Sequence, residues 1–123
     1  MGTNITDIEK LRQTRHALKD LLRKIDSYLI QMESVPARDA NKFIVSTISV
    51  ISDYTKTPDY TLIRDYETFR HDEKVFKYFD ADLFKIIHKR RYNLRNVFEL
   101  GQALLNTRAA VSEELDYIDV YLL

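Results

Sequence analysis

The segment RDYETFRH, from Arg64 to His71, holds the residues of this chain whose types and spacing best suit chemistry on a phosphate group. Arg64 is followed by the polar Asp65, and six residues separate the arginine from His71. A guanidinium can stabilise the negative charge that builds up on a phosphate under attack, and an imidazole can move protons near neutral pH. Arg64, Asp65 and His71 are therefore the candidate catalytic residues of the sequence.

This arrangement resembles the motif of the HEPN superfamily, in which four to six residues separate an arginine from a histidine. The resemblance covers these eight residues and the fold class, and it implies an all-helical protein related to metal-independent endoribonucleases. It also implies that Arg64 and His71 flank the scissile phosphate, usually across a dimer interface, while Asp65 assists. The motif lies in the middle of the chain, whereas the family usually places it nearer its final helix. The competing interpretation is a solvated helix end at which Arg64 and His71 make local ion pairs.

Other patterns of catalytic or metal-binding residues are missing from the sequence. The histidines His16, His71 and His88 are far apart, and none stands in the His-x-x-x-His or Glu-x-x-His spacing that places two ligands on one helical face. The sequence has two glycines and no glycine-rich loop that could cradle a phosphate. We therefore predict no metal ion, no cofactor and no catalytic residues beyond the HEPN-like alternative.

Charge is segregated along the chain, and the basic part is the candidate binding site. The stretch KIIHKRRYNLR contains His88 and no acid, and its cations are Lys85, Lys89, Arg90, Arg91 and Arg95. A basic helical stretch with an interleaved Tyr92 could hold RNA phosphates or an acidic protein surface. The stretch EELDYID, residues 113–119, contains four acids and no base. The alternative interpretation is a solvated face that complements an acidic neighbour, such as the acidic stretch of the same chain or of a second copy.

Arginines also interrupt apolar seams at Arg15, Arg90 and Arg108. A guanidinium buried without a partner is costly, so each must meet a carboxylate, extend to solvent or lie at a wet interface. On a continuous helix, Arg90 and Arg91 would flank the apolar stripe, while Lys85 and Lys89 would project away from it. If the chain acts by binding protein, the flanking arginines are expected to hold carboxylates of this chain or of a partner.

The elements that must position these residues are helices. The longest periodic segment is Thr6–Glu33, where positions 8, 11, 15, 18, 22, 25, 29 and 32 step by three and four and all but Arg15 are apolar. We expect Leu18, Leu22 and Ile25 to form the centre of this seam. Because its apolar residues keep helical spacing, the segment Asp39–Ser52 is also predicted to be a helix, although FIVSTISVIS is rich in β-branched residues.

The second half of the chain carries its own start and stop signals. Thr57 and Pro58 predict an N-cap and the first helical position of the next helix, and Asp80 is a plausible cap for the final region. From position 83 an apolar seam continues to position 122, which is too long for one helix in a chain of this size. We expect a break near Tyr92–Asn93, near Gly101 or at Asn106–Thr107, or else an end that projects to meet a partner.

Length and composition limit the class of protein. The 123 residues are predicted to form a single helical domain, 1–123, built as an all-α bundle of four or five helices with long N- and C-terminal helices. The 19 basic and 19 acidic residues balance, which argues against a dedicated nucleic-acid or membrane-surface protein. There is no cysteine, no leader-like N-terminus and no apolar run of the roughly 18 residues that a membrane span needs, so we predict a cytoplasmic protein.

Taken together, these features predict a non-enzymatic helical interaction protein, such as a small adaptor, regulator, inhibitor or assembly subunit. Its expected partner is a protein or a second copy of the chain. The alternatives are an RNA-binding helical subunit of a nucleoprotein assembly, which would use the basic stretch, and a HEPN-like metal-independent ribonuclease, which would use Arg64, Asp65 and His71.

Overall fold

The computed structural model of the chain describes residues 5–122, apart from the side chains of residues 5–7, 78, 79, 82 and 84. Within those bounds the chain forms five α-helices, a single 3₁₀ turn at Ala37–Asp39 and no strand. The helices are α1 (Ile5–Met32), α2 (Ala40–Tyr54), α3 (Pro58–Arg70), α4 (Lys77–Ile87) and α5 (Leu94–Leu122). The predicted all-α bundle with long N- and C-terminal helices is confirmed.

The β-branched segment of α2 is helical, as its spacing predicts. Ala40, Ile44 and Thr47 are buried on one face of α2. The hydroxyl of Thr47 donates a hydrogen bond to the carbonyl of Phe43 at 2.8 Å, so this buried polar group is satisfied within its own helix. Tertiary packing of one helical face therefore outweighs the β-propensity of the residues.

The start of α3 confirms the predicted cap, whereas the start of α4 corrects one. The hydroxyl of Thr57 accepts a hydrogen bond from the backbone N–H of Tyr60, and Pro58 is the first residue of α3. Helix α4 begins at Lys77, so Asp80 already lies in its first turn, where its N–H donates to the carbonyl of Phe76 at 2.8 Å. Asp80 is not a cap, although an acid in the first turn still suits the helix dipole.

The two long helices run antiparallel and are joined by ion pairs. Arg15 of α1 contacts Asp119 of α5 at 2.7 Å, and Arg108 of α5 contacts Asp26 of α1 at 2.6 Å. The later residue of α1 therefore pairs with the earlier residue of α5, so the two helices run in opposite directions. Two of the three arginines that interrupt the predicted seams therefore meet carboxylates across the α1–α5 contact.

Helix α5 belongs to two cores. Its 29 residues span about 43 Å, and its first half packs with α2 and α4 around Ile44, Ile86 and Leu100. Its second half packs with α1 and α3 around Leu18, Ile63 and Val111 in the other core. Gly101 does not break the helix, and a side-chain carbon there would lie 3.4 Å from the sulfur of Met32.

The apolar face of α1 is wider than the predicted seam. Leu18 and Ile25 are buried as expected, but Leu22 is only partly buried, while Leu21 and Thr14 lie in the core. The reason is that α1 contacts both α3 and α5, so its buried face spreads across the positions between these two neighbours.

Candidate functional site

The basic residues lie mainly on the connection between α4 and α5. Helix α4 ends at Ile87 and α5 begins at Leu94, so residues 88–93 form a turn. The N–H of Asn93 donates to the side-chain oxygen of Asn96 at 3.0 Å, and the N–H of Asn96 donates to the side-chain oxygen of Asn93 at 3.3 Å. This reciprocal cap fixes where α5 starts, as in a capping box.

The chain therefore breaks at the first of the three predicted places, near Tyr92–Asn93. The predicted helical arrangement of the five cations is wrong, because Lys89, Arg90 and Arg91 lie on the turn and not on a helix. Lys85 lies in the last turn of α4, and Arg95 lies in the first turn of α5.

Two buried residues hold the turn against the bundle. Ile86 is fully buried, and Tyr92 is buried in the core that α2, α4 and α5 share. The N–H of Tyr92 donates to the side-chain oxygen of Asn41 in α2 at 2.9 Å. Since both ends of the KRR sequence are anchored in this way, its three side chains project from a fixed backbone into solvent.

Most cations of this region have no acidic partner among the side chains that the structure describes. Arg95 forms an exposed ion pair with Glu99, one helical turn away, at 3.7 Å. Lys85, Lys89, Arg90 and Arg91 are exposed and form no ion pair with any residue whose side chain the structure describes. Their charges are therefore available to an external group.

Exposed apolar side chains lie at both ends of this turn and in the first two turns of α5. Phe98 is 83% exposed, and Leu94 and Ile87 are each 42% exposed. Leu94, Arg95 and Phe98 line one shallow depression of about 530 Å³ on the surface of α5. We call Lys85, Ile87, Lys89, Arg90, Arg91, Leu94, Arg95 and Phe98 the basic surface. Sequence reasoning missed the apolar part, for which the only signal was that Phe98 follows the buried seam position Val97.

The acidic stretch does not neutralise the basic surface in the described structure. Glu114 is fully buried and accepts two hydrogen bonds from Arg70 of α3, both at 2.5 Å. Lys74 contacts Glu113 at 2.7 Å and Asp72 at 3.1 Å. Asp119 pairs with Arg15, as described above. Three of the four acids of the stretch are thus partners of α1, of α3 and of the loop after α3.

The loop after α3 is fastened by a buried carboxylate. Glu67 is 1% exposed and accepts hydrogen bonds from the backbone N–H groups of Lys74 at 2.7 Å and Val75 at 3.0 Å. Burial raises the pKa of Glu67 above its ordinary value, although these two hydrogen bonds act in the opposite direction. Burial also raises the pKa of Glu114, opposed by Arg70. We call Glu67, Arg70, Asp72, Lys74, Glu113 and Glu114 the ionic cluster.

Aromatic rings flank the partly buried arginine of the ionic cluster. The guanidinium of Arg70 lies 3.9 Å from the ring centre of Tyr117 and 5.9 Å from that of Tyr66. Burial, helped by the nearby Glu114 carboxylate, raises the pKa of Tyr66 to about 12. Arg70 and Glu114 are 44 residues apart in the chain, so no local pattern could have signalled their contact.

The HEPN-like residues are only partly brought together. Arg64 and His71 line the same open groove of about 750 Å³ beside the ionic cluster. His71 ends α3 in the left-handed conformation, with φ of 57°. Asp65, however, lines a different groove, between α3, α1 and the end of α5. The three residues therefore do not converge on one point in this chain.

Neither metal-binding groups, nor the hydropathy of the helices, nor comparison with known proteins assigns a function to the chain. Among the described residues, no three histidines or acids are grouped so that they could hold a metal ion, and none of the helices described here is long and apolar enough to cross a membrane. A comparison of the chain with models of protein families, with curated proteins and with solved structures finds no match.

Proposed function

We propose that the chain is a non-enzymatic helical interaction protein that binds an acidic, partly apolar surface of another protein through its basic surface. The observation that carries the proposal is the combination of Lys89, Arg90 and Arg91, exposed cations that pair with no described carboxylate, with the 83% exposed ring of Phe98. The proposal extends to neither a catalytic step nor a cofactor.

Exposed charge that meets no described carboxylate supports a binding role, because the fold gains little from it. Elsewhere in the described chain, arginines such as Arg15, Arg70 and Arg108 contact carboxylates. Cations that face solvent contribute little to stability, whereas they steer an oppositely charged partner and discriminate against wrong ones.

The apolar members of the basic surface favour a protein as the partner. Single exposed apolar residues are ordinary, but Leu94 and Phe98 line one depression with Arg95, and Ile87 is the last residue of α4, directly before the turn. Aromatic residues and arginine are the types most enriched among residues that dominate protein interfaces. An acidic helix or loop with one or two apolar side chains would match both properties of the surface.

RNA is the second candidate, because unpaired lysines and arginines are also the groups that contact phosphates. The sequence offers Tyr92 for stacking on a base, but this ring is buried in the core and its N–H is bound to Asn41. Stacking would then rest on Phe98 alone. This is the reason that a protein partner is preferred.

Photochemical cross-linking tests the proposal at the surface itself. Phe98→p-benzoylphenylalanine places a photoreactive group on the basic surface, and Ile30→p-benzoylphenylalanine is the control, since Ile30 is 68% exposed on α1 and belongs to no surface proposed for binding. Both variants are irradiated in the native cells, with and without Arg90→Glu and Arg91→Glu. We expect a discrete protein adduct at position 98 that the charge reversals abolish and that position 30 does not form.

Other outcomes decide against the protein partner. An adduct at position 98 that survives the charge reversals would show that the cations are irrelevant to binding. If the adduct contains nucleic acid, and if an oligouridylate probe binds tighter than about micromolar at physiological salt, the RNA candidate replaces the protein one. Such affinity should fall in Lys85→Glu with Lys89→Glu, because phosphate contacts are lost.

A further inference from the structure

A second apolar surface lies between α1, α3 and the end of α5. This groove has a volume of about 340 Å³, and its lining includes Leu62, Tyr66, Phe69 and Tyr121. Tyr66 is buried, whereas Phe69 is 81% exposed and Tyr121 is 64% exposed. We call it the α1–α3 groove. The two exposed rings can insert into a neighbouring molecule, and the groove beside them can receive a ring from that molecule.

The charges at the edges of the groove are of opposite sign. Lys10 belongs to α1 and Asp65 belongs to α3, and both side chains are exposed. Neither forms an ion pair with a residue whose side chain the structure describes. One helix thus offers a free cation and the facing helix a free carboxylate, on the same groove.

This arrangement is self-complementary under a two-fold axis. In a symmetric dimer, a residue i of one copy meets j of the other, and j meets i. An axis through the groove brings Lys10 of each copy toward the partner's Asp65, which yields two equivalent ion pairs. The same rotation carries each Phe69 toward the partner's groove.

We propose that the α1–α3 groove is the interface of a homodimer, closed by reciprocal Lys10–Asp65 contacts around the Phe69 and Tyr121 rings. The occupant is a second copy because the groove carries the complement of its own charges. Arg64 and His71 lie in another groove, and the basic surface is formed by α4 and α5, so the proposal does not depend on the function of either.

The exposed aromatic rings would supply part of the area that a specific dimer buries. An aromatic side chain contributes roughly 150–250 Å² when it is buried, and two copies supply four rings that are 64–81% exposed. These rings would bury roughly 400–700 Å², about a quarter to nearly a half of the roughly 1,600 Å² that a specific interface buries. Leu62, Leu11 and the stems of Lys10 contribute the surrounding area.

Sedimentation equilibrium of the wild-type chain, from micromolar to half-millimolar concentration, measures the dimer. We expect a reversible dimer whose dissociation constant rises at least tenfold in Phe69→Asp. Phe98→Asp is the matched control, since it introduces the same charge at an equally exposed phenylalanine outside the groove. Circular dichroism of both variants checks that they remain folded.

Charge reversal tests the geometry more strictly than loss of a ring. Lys10→Glu alone and Asp65→Lys alone should each weaken the dimer, because like charges then face each other across the axis. The double variant, Lys10→Glu with Asp65→Lys, restores both pairs and should recover most of the affinity.

Three results overturn the proposal. A wild-type chain that stays monomeric at half-millimolar concentration leaves the groove to some other occupant. A dimer that Phe69→Asp leaves unchanged lies on another surface. A double charge variant that is weaker than either single variant shows that Lys10 and Asp65 do not face each other.

Discussion

Charged residues near the two ends of α5 lie in opposite surroundings, buried at one end and exposed at the other. Near its C-terminal end, Glu114 is fully buried and bound to Arg70, within the ionic cluster that ties α5 to α3. Near its N-terminal end, about 30 Å away along the helix, Arg90 and Arg91 face solvent without an acidic neighbour among the described side chains. The acidic run contributes contacts within the fold, whereas the basic run faces solvent.

The difference teaches that a charge run has no fixed meaning in a sequence. The acidic run lies on a helix whose buried face is continuous, so some of its members must enter the core and need partners there. The basic run spans a turn between two anchors, Ile86 and Tyr92, so its members can all remain hydrated. Stability should therefore depend strongly on the first region and weakly on the second.

The largest expected effect comes from removing the cation of the ionic cluster. Arg70→Met leaves the fully buried Glu114 without its partner, and the unfolding free energy should fall by about 3–5 kcal/mol. Chemical denaturation at neutral pH measures the loss. Arg70→Met combined with Glu114→Leu removes both charges and should recover most of the stability. A double variant as unstable as Arg70→Met alone would show that lost packing, and not the stranded charge, is responsible.

The next effect is a dependence of stability on pH that Glu67 contributes. Because its pKa is raised in the fold, the folded state binds a proton that the unfolded chain releases between the ordinary value of 4.5 and the raised value. The stability contribution is therefore present below pH 4.5 and is lost as pH rises through the folded pKa. Urea denaturation from pH 4.5 to pH 7.5 should show the wild type losing stability relative to Glu67→Gln. A constant difference between the two would contradict the raised pKa.

A smaller effect is expected for the ion pairs between the two long helices. Arg108 and Asp26 are each 43% exposed, so solvent screens their contact. Arg108→Ala should lower the unfolding free energy by about 0.2–1 kcal/mol, measured by chemical denaturation. Asp26→Asn should cost a similar amount, and a loss as large as that in Arg70→Met would erase the distinction between buried and exposed pairs.

Much of the fold is visible in the sequence because it depends on local signals. Apolar spacing predicts α1, α2 and the seam of α5, where Val97, Leu104 and Val111 are buried at intervals of seven. Thr57 and Pro58 mark the start of α3, as such pairs usually do. The misplaced cap at Asp80 arose because an acid suits the first turn of a helix as well as its cap.

The candidate site was less predictable because it depends on contacts between distant residues. The basic residues were identified from composition, but their placement on a turn rests on Tyr92 reaching Asn41, 51 positions away. That contact, like the pairing of Arg70 with Glu114, follows from the packing of whole helices. Neutralisation of the basic run by the acidic run of the same chain is not found among the described residues for this reason, since the sequence carries the charges but not their neighbours. Neutralisation by a second copy stays a prediction.

The most direct test of the account is the unfolding free energy of Arg90→Glu with Arg91→Glu, measured beside that of Arg70→Glu. If the basic surface does not stabilise the fold, the double reversal should change the unfolding free energy by no more than about 0.5 kcal/mol, the usual limit for surface sites. Arg70→Glu should cost about 3 kcal/mol or more, because it places a second acid beside the buried Glu114. A double reversal as destabilising as Arg70→Glu would contradict the account, since it would show that Arg90 and Arg91 hold the fold together.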